Sequence, residues 1–99
     1  MQAYADAEDI KNAAKGMSLR SSYADDIVRQ MKARSINTYR GVVQFAMEYA
    51  AAVIDLQKRQ GVELNTSGKH CIIYEITAAV KLIVPSIDQR KVFEEMTST

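Results

Sequence analysis

The only histidine and the only cysteine of this 99-residue chain are neighbours, His70 and Cys71. A histidine that removes the proton from a cysteine thiol creates a nucleophile, which is the strongest catalytic chemistry that these residue types offer. Successive side chains of a helix point about 100° apart, so His70 is poorly placed to hydrogen-bond to Cys71. We therefore expect a buried, unreactive cysteine beside a helix-terminal histidine, and no catalytic residue.

No other set of residues has the spacing of a metal or nucleotide site. A structural zinc ion needs four Cys or His ligands, and one copy of this chain supplies two. The segment 61–69 resembles a phosphate-binding loop, but six residues separate Gly61 from Gly68 where a Walker motif has four, and His70 replaces the required Ser or Thr. The sequence therefore predicts no metal, no cofactor and no enzymatic activity.

One stretch of the chain, 27–47, is rich in basic residues and contains no acidic residue. Clustered positive charge speeds encounter with an acidic surface, and arginine forms paired hydrogen bonds with carboxylates and phosphates. We expect this stretch to bind a partner, most simply an acidic protein. The residues of this predicted partner-binding site, called the basic run below, are Arg29, Lys32, Arg34 and Arg40.

The basic run also allows a second interpretation, a small helix-turn-helix-like DNA-binding regulator. Two helices joined by a short turn, with Ser35, Asn37 and Thr38 available to contact phosphates, have the outline of that motif. However, the second helix is the most hydrophobic of the chain, and a net charge of +1 provides little counterion release on DNA. Protein binding is therefore favoured, and nucleic acid binding is the alternative.

Composition predicts one soluble helical domain spanning residues 1–99. The chain is 47% hydrophobic and 25% charged, with 13 basic and 12 acidic residues, as in ordinary globular proteins. A single cysteine excludes an intramolecular disulfide, and the sequence shows neither a signal peptide nor an uninterrupted apolar stretch of membrane-spanning length. We expect a cytoplasmic protein with no membrane partner.

Five segments show the apolar spacing of helices, and turn residues separate them. They are 3–15, 23–34, 38–60, 71–84 and 86–96, with predicted N-caps at Ser22, Asn37 and Ser86 and a loop at 62–69. The segment 71–84 remains open between helix and strand, because it begins with strand-forming residues although its later apolar residues follow helical spacing. Helix is favoured because the segment is long for a strand.

The third segment is predicted to organise the fold, because twelve of the fifteen residues 42–56 are apolar. The exceptions, Gln44, Glu48 and Asp55, lie on one narrow side, so other helices or a second copy must cover the rest. The sequence thus predicts a bundle of four to five helices around a long, nearly fully buried central helix. The expected core or dimer residues are Val42, Phe45, Tyr49, Val53, Ile54, Ile76 and Val80.

These expectations combine into one functional prediction. The chain is a non-enzymatic protein–protein interaction module, a helical homodimer that acts as an adaptor, inhibitor or regulator. An intertwined dimer would satisfy the same reasoning.

Overall fold

A computed structural model describes residues 21–98, which form four helices and their connections. The helices are α1 (Ser21–Ala33), α2 (Tyr39–Arg59), α3 (Thr66–Ile83) and α4 (Gln89–Thr97). Residues 21–98 contain no strand, which confirms the all-α prediction and assigns the segment 71–84 to a helix. The predicted helix 3–15 lies outside the described residues.

The central helix of the bundle is α3, not the longer α2 that the sequence suggested. Helix α3 contacts each of the other three helices, and five consecutive residues from Ile76 to Val80 are buried. A helix buried at five successive positions is covered around its whole circumference, because those positions span more than one turn. The buried central helix therefore comes one helix later in the chain than predicted.

Helix α2 is buried only along its first half. Its buried residues are Val42, Phe45, Ala46 and Ala50, and none of residues 51–59 is buried. Tyr49 and Ile54, expected to be inaccessible core residues, are instead half-buried. Val53, expected in the core or at a dimer interface, is half-buried as well. At 21 residues the helix is about 32 Å long, and beyond Ala50 it contributes no residue to the buried core.

The helix caps differ in detail from those predicted. Thr38, not Asn37, caps α2, since its Oγ1 accepts a 3.0 Å hydrogen bond from the amide of Gly41. Asp88, not Ser86, caps α4 by accepting from the amide of Lys91 at 3.1 Å. Helix α1 is already helical at Ser21, so Ser22 lies within it rather than at its cap.

Helix α3 begins five residues earlier than predicted, because Asn65 caps it. The Asn65 Oδ1 accepts a 2.8 Å hydrogen bond from the amide of Gly68. Residues 66–69, expected in a loop, therefore form the first turn of α3. Within residues 21–98, none of the helices combines the length and hydrophobicity needed to cross a bilayer.

Candidate protein-binding surfaces

In the structure, two residues of the basic run form ion pairs and the other two do not. Arg29 donates a hydrogen bond to Asp26, and Arg34 forms an ion pair of 3.1 Å with Glu48. The Arg34 guanidinium also lies 5.3 Å from the centre of the Phe45 ring. By contrast, Lys32 and Arg40 are exposed and form no ion pair with another residue of 21–98. Within the basic run, only Lys32 and Arg40 therefore carry a positive charge that no acidic residue of 21–98 pairs with.

A groove runs between α1 and the exposed half of α2, with a volume of about 320 Å³. We call it the α1–α2 groove. Its floor is apolar and contains Tyr49, Val53 and Leu56, the last of which is 54% exposed. Its wall is polar and contains Asp26, Gln30, Arg34 and Glu48.

The polar wall of this groove is internally satisfied. The Asp26 carboxylate accepts hydrogen bonds from Arg29, from Gln30 Nε2 at 3.0 Å and from the Tyr49 hydroxyl at 2.9 Å. Burial by itself raises the pKa of Asp26, but these three donors outweigh burial and hold the pKa below its ordinary value of 3.8. The carboxylate is therefore ionised and already occupied by donors of its own chain.

A second concavity lies on the opposite flank of α2, against the connection to α3 and the first turn of α3. It has a volume of about 610 Å³, and we call it the α2–α3 hollow. Its apolar lining consists of Ala51, Ile54, Val62 and Leu64. Its charged lining consists of Asp55, Lys58, Glu63 and Lys69.

The chain reversal at Gly61 builds this hollow. Gly61 has φ +84°, a left-handed conformation that glycine adopts without steric cost. The amides of Gly61 and Val62 donate to the carbonyls of Lys58 at 3.0 Å and Gln57 at 2.9 Å, the hydrogen-bond pattern of a Schellman motif. This termination turns the chain back so that Val62 and Leu64 line the flank of α2.

The histidine and the cysteine are neighbours in the first two turns of α3. Both His70 and Cys71 are exposed, which corrects the expectation of a buried cysteine. The His70 ring lies edge-to-face with Phe93 at 6.0 Å, and Tyr74 contacts the same ring at 6.2 Å. Within residues 21–98 no group of three or more His, Cys, Asp or Glu side chains is placed to hold a metal ion.

Sequence reasoning missed the α2–α3 hollow, because it interpreted 62–69 as a polar loop. A signal was present, since Val62 and Leu64 alternate with the polar residues Glu63 and Asn65 immediately after the helix-ending Gly61. Comparison with protein-family models, curated proteins and solved structures finds no match to this chain. Its function is therefore inferred from its own surfaces.

Proposed function

We propose that this chain is a non-enzymatic protein-binding module that self-associates through the second half of α2. The observation that carries the proposal is the exposure of apolar side chains on both flanks of that half-helix. Leu56 is 54% exposed on one flank and Val62 is 43% exposed on the other, while Val53 and Ile54 are half-buried.

Burial of apolar surface would drive this association. Removing apolar surface from water contributes about 25 cal/mol per Å², and contiguous exposed apolar patches are typical of interaction sites. Within residues 42–56 the polar residues of α2 form one narrow stripe of Gln44, Glu48 and Asp55, all exposed. A second copy can cover an apolar flank while Gln44 and Glu48 remain in water.

The basic run supports a further partner, an acidic protein. Lys32 and Arg40 are exposed and lack an ion pair within residues 21–98. Exposed positive charge of this kind accelerates association with an acidic surface. DNA binding is less well supported, because the outward side of α2 that would approach the phosphates carries Glu48 and Asp55.

Self-association through α2 is tested by single substitutions on each of its sides. We compare Ile54→Lys, Leu56→Lys and the matched control Gln44→Lys by light scattering. A buried lysine opposes association, so at least one of the first two variants should be monomeric while Gln44→Lys assembles like the wild type. Circular dichroism verifies that each variant is helical. If all three variants assemble like the wild type, the second half of α2 is not the interface.

The acidic partner is tested by pull-down from the native cell extract with charge-reversed baits. The test bait carries Lys32→Glu and Arg40→Glu. The control bait carries Arg59→Glu and Arg90→Glu, an equal charge change at two exposed arginines elsewhere. Proteins retained by the wild type and the control but lost from the test bait support the proposal. Identical recovery from all three contradicts it, and recovery of nucleic acid that depends on Lys32 and Arg40 favours the DNA-binding alternative.

A further inference from the structure

We infer that the α2–α3 hollow is the self-association site, and that its occupant is the same hollow of a second copy. This inference rests on the proposed function and specifies which flank of α2 is used. The hollow pairs an apolar floor of Ala51, Ile54, Val62 and Leu64 with a charged lining. Apolar centres with polar rims are the usual anatomy of protein interfaces.

The hollow carries equal numbers of acidic and basic residues. Asp55 and Glu63 are acidic and Lys58 and Lys69 are basic, so the lining has two charges of each sign. A twofold axis places one surface against its own copy, so that residue i meets residue j and j meets i. Each acidic residue of one copy can therefore face a basic residue of the other without any change in net charge.

Three of these four charges have no ion-pair partner within the described chain. Lys58, Glu63 and Lys69 form no ion pair with any residue of 21–98, and Asp55 pairs with Arg59 at 3.0 Å across one helical turn. That pair is solvent-exposed, with side-chain exposures of 55% and 77%, and so contributes little energy. The charges of the hollow are thus available to a second copy.

The α1–α2 groove differs from the hollow in this respect. Its two carboxylates, Asp26 and Glu48, are already bonded to Arg29 and Arg34 of the same chain. A charged partner in that groove would have to compete with these intramolecular ion pairs. The hollow has no such competition for Lys58, Glu63 or Lys69 and is therefore the better site for a second copy.

Local hydrogen bonds fix both ends of the connection that borders the hollow. The Schellman motif at Gly61 fixes the end of α2, and the Asn65 cap fixes the start of α3 through its 2.8 Å bond with Gly68. The Leu64 side chain lies close to Gly68, where the methyl group of an alanine would meet Leu64 Cδ2 at 3.1 Å. A preorganised surface loses little conformational entropy on binding, which favours association of two copies.

The experiment exchanges the charges of the hollow in two variants. One carries Lys58→Glu and Lys69→Glu, and the other carries Asp55→Lys and Glu63→Lys. Each variant alone faces like charges across the twofold axis, so its self-association should weaken at least about tenfold. An equimolar mixture should restore the affinity as a heterodimer, because opposite charges then meet. Native mass spectrometry distinguishes the heterodimer from either homodimer.

The control is Arg90→Glu with Lys91→Glu, two exposed residues outside the hollow and outside the basic run. It matches the charge change of the Lys58 and Lys69 variant and should leave self-association unchanged. Charge variants that assemble like the wild type would overturn this inference. So would weakened variants whose mixture fails to form a heterodimer. In both cases an assembling wild type leaves the proposed function standing, whereas a monomeric wild type removes the proposed self-association and this inference together.

Discussion

The hydroxyl of Tyr49 on α2 donates a 2.9 Å hydrogen bond to the carboxylate of Asp26 on α1. Helix α1 packs chiefly on α3, so this bond ties it to the second helix as well. The Arg34–Glu48 ion pair links the end of α1 to α2 farther along the same groove. The two contacts fix the polar wall of the α1–α2 groove.

The Tyr49→Phe variant should raise the pKa of Asp26 toward 3.8, since one of its three donors is lost. A lowered carboxyl pKa stabilises the folded state above the ordinary pKa, and this stabilisation disappears as the pH falls below it. The variant should therefore lose stability at neutral pH and lose less in acid. Carboxyl titration by NMR measures the pKa, and an Asp26 pKa equal to that of the wild type would contradict the assignment.

Ser35→Gly should stabilise the protein by about 0.5–1 kcal/mol. Ser35 has φ 51° and ends α1 through a 3.1 Å bond from its amide to the Lys32 carbonyl, so a non-glycine residue occupies a left-handed cap. Chemical denaturation measures the change.

The counterpart Gly61→Ala should destabilise the protein by about 1 kcal/mol, because it places a side chain at φ +84°. Equal effects of the two substitutions would show that the turns are not formed as described.

Glu95→Gln should lower the pKa of Tyr39. Burial, followed by the 2.7 Å hydrogen bond to Glu95 and the charge of that carboxylate, raises the Tyr39 pKa from 10.0 to about 12. A raised tyrosine pKa stabilises the fold below pH 10.0, and this contribution is lost as the pH rises through about 12. Tyrosinate absorbance, with Tyr39→Phe subtracted, follows the titration. If the Tyr39 pKa does not move, Glu95 is not its partner.

Phe45→Ala should cost about 3–5 kcal/mol of unfolding free energy, because the side chain is 2% exposed and its removal leaves a cavity. The control Leu56→Ala removes a side chain that is 54% exposed and should change stability by about 0.5 kcal/mol or less. Thermal and urea denaturation measure both. Similar losses for the two variants would mean that the two halves of α2 are equally buried.

Apolar periodicity predicted the helices well but ranked their burial wrongly. Helix α2 has twelve apolar residues among the fifteen at 42–56, yet it is α3 that is covered on all sides, at Ile76–Val80. Apolar periodicity indicates which side of a helix favours burial, whereas the burial achieved also depends on how many helices surround it. The exposed apolar residues of α2, such as Leu56, therefore indicate that a flank of this helix is uncovered, not that α2 is the central helix.

The ends of the helices were predicted less accurately, because several neighbouring residues can cap a helix equally well. Asn37 and Thr38 are both good N-caps, and only the backbone direction decides that Thr38 accepts from Gly41. The α2–α3 hollow was missed for a related reason. Val62 and Leu64 come beside Ile54 only through the reversal at Gly61.

Sedimentation equilibrium of the unaltered chain over a range of micromolar concentrations tests self-association through α2 most directly. We expect a species of twice the 11.1 kDa chain mass that dissociates on dilution. A single 11.1 kDa species at every concentration would contradict it.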